Sequence, residues 1–81
     1  MTPEQCRAAR AWLDIGQDDL ATSAGVSLST VRDFEKGRRN PIANNLRAIR
    51  AALEHRGIAF VDGEGTSGIT YSAHAKGVDA A

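Results

Sequence analysis

The tightest constraint on the fold lies in mid-chain, where only Gly25-Val26-Ser27 separates two short apolar-periodic segments. Helices this short are not stable alone, so each must pack on something. Gly25 readily takes the left-handed backbone that ends a helix, and the Ser27 hydroxyl suits the cap of the next one. With Val26 alone between them, and apolar enough to plug the gap beneath the turn, the two helices must cross closely. Upstream, Gln17–Ala24 opens with Asp18 and Asp19, acids favoured at the positive end of a helix, and turns Leu20, Ala21 and Ala24 inward. Downstream, a helix over 28–36 turns Val31 and Phe34 inward and stops at Gly37. Ala21 is small where the two helices meet.

The flanking sequence supplies the surfaces these two helices need. Thr2 can cap a first helix, Pro3 fits its first position and Gln5 completes a capping box. That helix should run over about 3–13, with Cys6, Ala9 and Leu13 as its buried stripe and Trp12 flanking it. Asp14-Ile15-Gly16 interrupts it. After a basic turn, Arg38-Arg39-Asn40-Pro41, a fourth helix is expected over about 42–56. Leu46, Ile49, Ala52 and Leu53 form its stripe, and Gly57 marks its end. The chain then changes character. Ile58-Ala59-Phe60-Val61 and Gly68-Ile69-Thr70-Tyr71 read as short strands around a turn-rich stretch at 62–67. The expected organisation is a helical domain over 1–57, a strand segment over 58–71 and a disordered tail over 72–81. The fold class is all-α: a bundle of four to five helices with a short C-terminal β-hairpin or strand pair.

Composition narrows the function. A chain of 81 residues forms one modest core, which leaves little room for a complex catalytic cleft. One cysteine excludes an internal disulfide and fits a reducing compartment. With no signal peptide and no apolar run of membrane-spanning length, a cytoplasmic, nucleoid-associated protein is expected. The net charge of zero hides an asymmetry: residues 1–57 carry nine bases against seven acids, giving +2, and residues 58–81 carry one base against three acids, giving −2. The densest basic cluster is Arg32, Lys36, Arg38 and Arg39, and the local field matters more to a phosphate backbone than the total. An enzyme is not expected. His55 and His74 stand in no ligand motif with Cys6, and the glycines at 63, 65 and 68 precede no helix, so no cofactor or metal is implied.

Residues 17–41 join Gln-x-x-Leu-Ala (Gln17 to Ala21), Ala24-Gly25-Val26-Ser27 and Phe-Glu-x-Gly-Arg-x-x-Pro (Phe34 to Pro41). At this spacing the chain resembles the helix-turn-helix of phage-repressor-like regulators, the lambda repressor/Cro class or XRE family, over about residues 4–56. The resemblance implies a lambda-repressor-like bundle, and usually a homodimer on a pseudo-palindromic operator in double-stranded DNA. In that arrangement one helix crosses the backbone and the next, the recognition helix, enters the major groove. Gln17 stands where the family places a glutamine, with an implied phosphate contact. Gly16 departs from the family's usual Ser or Thr and leaves a cap weaker by a few tenths of a kcal/mol. Arg10 and Glu35 match positions that commonly form a half-buried ion pair, a structural tie between the first and third helices.

On the recognition helix, Leu28, Ser29, Arg32 and Asp33 fall on the outward face. Arg32 can take guanine bidentately, which discriminates by about 1–3 kcal/mol. Ser29 can bond a base edge, Leu28 can meet a thymine methyl, and Asp33 can accept from cytosine or simply hold Arg32 or Lys36. Thr30, Arg38, Arg39 and Asn40 are the candidate phosphate contacts. A transcriptional repressor is the function this points to. The alternative is an antitoxin or protein-binding adaptor that turns the same helices towards a toxin or other protein partner. For residues 58–71 two arrangements remain open: a hairpin folded on its own bundle, or an element that helps two copies dimerise.

Overall fold

The computed structural model describes residues 1–73. Among them are four helices, α1 (Pro3–Leu13), α2 (Gln17–Ala24), α3 (Leu28–Glu35) and α4 (Ala43–His55), followed by strands β1 (Ile58–Gly63) and β2 (Thr66–Tyr71). The helix positions agree with the sequence reading to within a residue. Lys36 caps α3 rather than belonging to it, because Gly37 at φ 72° turns the chain away. Ile42 and Arg56 likewise flank α4 as caps.

The apolar stripes converge on one core. Cys6 and Ala9 of α1, Leu20 and Ala21 of α2, Val31 and Phe34 of α3, and Ile49 and Leu53 of α4 are all buried. Leu13, Ala24, Val26, Leu46 and Ala52 pack around them, partly buried. The turn between α2 and α3 forms as its residues dictate. Gly25 sits at φ 70°, and the Val26 N–H donates to Ala21 O at 3.0 Å. The Ser27 hydroxyl accepts from the Thr30 N–H at 3.1 Å.

The strands are longer than expected. The stretch 62–67 contributes Asp62 opposite Ser67 and Gly63 opposite Thr66, which leaves only Glu64-Gly65 as the loop. Gly65 takes φ 71°, a conformation that suits glycine and lets the turn close in two residues. Ile58 lies opposite Tyr71 and Phe60 opposite Ile69, on one face. That face is turned to the helices: Ile58 is buried, and Phe60 and Ile69 pack on the core. The hairpin is therefore folded on its own bundle, β1 against α4 and β2 against α1. Of the tail expected to be disordered, 74–81 lies outside the described residues. Ser72, at its start, donates its N–H to Gly57 O at 2.9 Å and extends the ladder.

Gln5 joins the two parts of the molecule. Its Oε1 accepts from the Thr2 N–H at 2.8 Å and its own N–H donates to Thr2 Oγ1 at 3.0 Å, completing the capping box. Its Nε2 reaches the hairpin and donates to Val61 O at 3.1 Å and Gly68 O at 2.8 Å, with Asp62 Oδ1 at 3.3 Å. The sequence reading saw only the cap. Gln5→Glu should keep that cap and replace the amide donors by an acceptor facing two carbonyls. We expect a loss of about 1–3 kcal/mol in urea unfolding at neutral pH. An unchanged midpoint would show that the hairpin does not depend on this amide.

Candidate nucleic-acid interface

The orientation of α3 is set from beneath. Val31, Phe34 and Glu35 are buried against the core, so the opposite side of this two-turn helix faces solvent. Ser29 and Leu28 are exposed there, and Arg32 and Asp33 are half-buried. The four side chains expected to meet bases thus share one accessible face. Asp33 forms no ion pair with Arg32 or Lys36. It borders instead a shallow cleft shared with Ser29, Arg39, Asn40, Ile42 and Asn45, between α3 and the start of α4. Thr30, expected at phosphate, has its hydroxyl 2.7 Å from Ser27 Oγ and so belongs partly to the cap.

This side gathers most of the basic side chains that make no salt bridge among the described residues, Arg7 and Arg47 being the others. Arg10, Arg50 and Arg56 are paired with Glu35, Glu54 and Asp19. Among the described residues Arg32, Lys36, Arg38 and Arg39 have no acidic partner. They cluster at the end of α3 and in the turn after it, where Arg38, Arg39 and Asn40 are exposed. The first turns of α3 and α4 carry no acid, whereas those of α1 and α2 do. The positive ends of the two helices bordering the cleft thus lack a first-turn acid, which favours an anionic ligand there, although Asp33 also lines the wall. Asn45, in the first turn of α4, lines the cleft, while the Asn44 side chain beside it accepts from Arg47. They were missed in the sequence, where the available signal was two asparagines in a first turn that more often holds acids.

Beneath the face lies a polar knot. Arg10 grips Glu35 with Nε and Nη2, each at 2.7 Å. Gln17 Nε2 donates to Glu35 Oε1 at 2.9 Å, and the Cys6 thiol to Oε2 at 3.1 Å. Arg7 donates to the Glu35 main-chain carbonyl. The expected Arg10–Glu35 pair is present, and Gln17, expected at phosphate, spends one amide hydrogen on it. Gly16 provides no side-chain cap to α2. Burial pushes the Glu35 carboxyl up, but the hydrogen bonds from Arg10, Gln17 and Cys6 and the Arg10 charge outweigh it and hold the group below its ordinary value. Burial, with the hydrogen bond to Glu35, pushes the Cys6 thiol up and keeps it protonated, suited to donate.

The family model of the helix-turn-helix proteins matches residues 7–58. No curated protein matches the chain. The matched stretch holds all four helices except the first turn of α1, with the turn and the unpaired cations, and it stops where the hairpin begins.

The knot should govern stability in acid. Because the carboxyl of Glu35 is held below its unfolded value, its contribution is complete above about pH 4.3 and is lost as the pH falls through the folded value. The stability gap between wild type and Glu35→Gln should therefore narrow in acid. Arg10→Met strands the carboxylate and should cost about 3–5 kcal/mol, much of it recovered in Arg10→Met/Glu35→Leu. Denaturant unfolding of wild type, Arg10→Met, Glu35→Leu and the double variant tests this, and additive losses would refute the coupling.

Proposed function

Because the chain belongs to the helix-turn-helix family of Cro/C1-type DNA-binding transcription regulators, we propose that it binds a specific duplex sequence as a homodimer and represses transcription from it. The operator is pseudo-palindromic, with half-sites about one DNA turn, roughly 34 Å, apart. Repression needs only occupancy of the operator. A protein in this role works in the cytoplasm, on the nucleoid.

The observation that carries this reading is the cluster of cations, Arg32, Lys36, Arg38 and Arg39, with no acidic partner among the described residues, beside an accessible α3 face. Arg32 and Ser29 read base edges, Leu28 meets a thymine methyl, and Asp33 accepts from cytosine N4. Thr30, Arg38, Arg39 and Asn40 hold phosphates, and Gln17 adds a contact with the amide hydrogen that Glu35 leaves over. An adaptor using α3 against a protein would present apolar side chains there. On α3 only Leu28, at 41% exposure, fits that pattern, with Ile42 exposed in the adjoining cleft, and the surrounding side chains are polar or basic, so DNA is favoured.

Selection from a randomised duplex pool at two salt concentrations should enrich one palindromic site. Arg32→Ala should relax preference at one position per half-site, at a cost of about 1–3 kcal/mol there. Arg39→Ala should weaken all sequences alike and lower the slope of log K against log salt by about 0.9 per half-site. Absence of enrichment, or binding indifferent to Arg32, would move the chain to the antitoxin or adaptor reading.

A further inference from the structure

Among the described residues, the hairpin leaves hydrogen-bonding groups without backbone partners at its two edges. The bond from the Ser72 N–H to Gly57 O sets the phase of the ladder. With Ile58 opposite Tyr71, the N–H and C=O of Ala59, Val61, Gly63, Thr66, Gly68 and Thr70 point across the hairpin. Those of Ser67, Ile69 and Tyr71 point outward from β2, and those of Ile58, Phe60 and Asp62 outward from β1.

The two edges are not alike. The β1 edge carries the Asp62 charge, and the Arg50 guanidinium covers Phe60, 5.1 Å from its ring centre. The β2 edge has none of the features that keep natural edge strands from pairing: no charge, no proline, and no bulge in six consecutive residue pairs. Beside it lies an uncharged apolar patch. Trp12, 63% exposed, packs on Tyr71, 43% exposed, with ring centres 5.7 Å apart. Trp12, Tyr71, Ile69 and Thr70 line a shallow depression, and Ala8, one turn earlier on α1, is also exposed.

We propose that this edge is the homodimer interface. Two β2 strands run antiparallel about a two-fold axis at Ile69, with Ile69 opposite its own counterpart and Ser67 opposite Tyr71. The inference rests on the homodimeric reading above and adds to it the surface that joins the copies. Charge selects a second copy as the occupant. A two-fold contact sets each side chain against the same surface, so a charged patch repels itself, and this patch carries no charge. An unrelated partner would find no charged group here to recognise. The pairing satisfies the outward groups of both strands and makes a four-stranded sheet, past the size at which an isolated hairpin is marginal. Trp12 of each copy is then covered at the seam.

The test uses the full chain without DNA, so that it is independent of operator binding. Sedimentation should give wild type twice the chain mass, and Trp12→Lys the chain mass with unchanged helical circular dichroism. In amide exchange, Ser67, Ile69 and Tyr71 should be protected in the wild-type dimer and exposed in Trp12→Lys. Ala59, Val61, Gly68 and Thr70 should stay protected in both, as the control for an intact hairpin. If Trp12→Lys does not fold, dilution of wild type decides, since protection at the three outward amides should vanish with the dimer. A monomeric wild type, or a dimer whose Ser67, Ile69 and Tyr71 amides exchange freely, overturns the proposal. A monomer that still selects a DNA site leaves the regulator reading standing, whereas a dimer protected on β2 that selects none keeps the interface and removes that reading.

Discussion

The Glu35 carboxylate holds together the three helices on which everything else is mounted. It is almost wholly buried, at 2% exposure, and takes hydrogen bonds from Arg10 and Cys6 of α1 and from Gln17 at the start of α2. An isolated carboxylate in that position would be expelled or protonated. The bidentate grip of Arg10 makes it tenable, and a planar fork tolerates little change in angle. Such a group contributes geometry more than net stability, and here the geometry is the tilt of α3 against α1 and α2. The apolar contacts of Val31 and Phe34 hold α3 down without setting its rotation so narrowly.

That rotation decides which side chains meet a ligand. With Val31, Phe34 and Glu35 buried, Leu28, Ser29, Arg32 and Asp33 have only the outward side left. The bases divide accordingly. Those that brace the fold are engaged with acids, Arg10 with Glu35 and Arg56 with Asp19, and those around the end of α3 have no acidic partner among the described residues. A protein of zero net charge thereby presents a local cationic surface, balanced by acids elsewhere such as Glu4, Asp14, Asp18, Asp62 and Glu64 that pair with no base among the described residues.

The hairpin is attached by different means. Its inner face, Ile58, Phe60 and Ile69, covers the core between α1 and α4. The Gln5 amide pins its backbone from one side, and Gly57, at φ 106°, brings the chain out of α4 into β1. A Cβ on Gly57 would lie 2.5 Å from Ser72 O, so the close pass of the two strand ends requires glycine there. The family match stops at residue 58, where the hairpin begins.

Much of this was legible in the residues. Capping residues, glycines and apolar spacing are local signals, and they placed all four helices, the turn at Gly25 and the inward face of each element. They overestimated the hairpin loop, because 62–67 has turn composition, yet its exposed residues also tolerate a strand once a partner strand is present. Beyond the Thr2–Gln5 capping box and the Arg10–Glu35 pair that the family resemblance implied, the partners of polar side chains were not legible. Gln5 looked like a cap, Gln17 like a phosphate ligand and Asp33 like a possible brace for Arg32 or Lys36. Only packing revealed that Gln5 reaches the hairpin, that Gln17 braces Glu35 and that Asp33 pairs with neither base. The sequence by itself determined which segments are helical and which faces are buried, since both follow from short-range periodicity and backbone preference. Tertiary structure alone decided which charges are spent inside the fold and which remain for a ligand, because a long polar side chain has several partners within reach and packing selects among them.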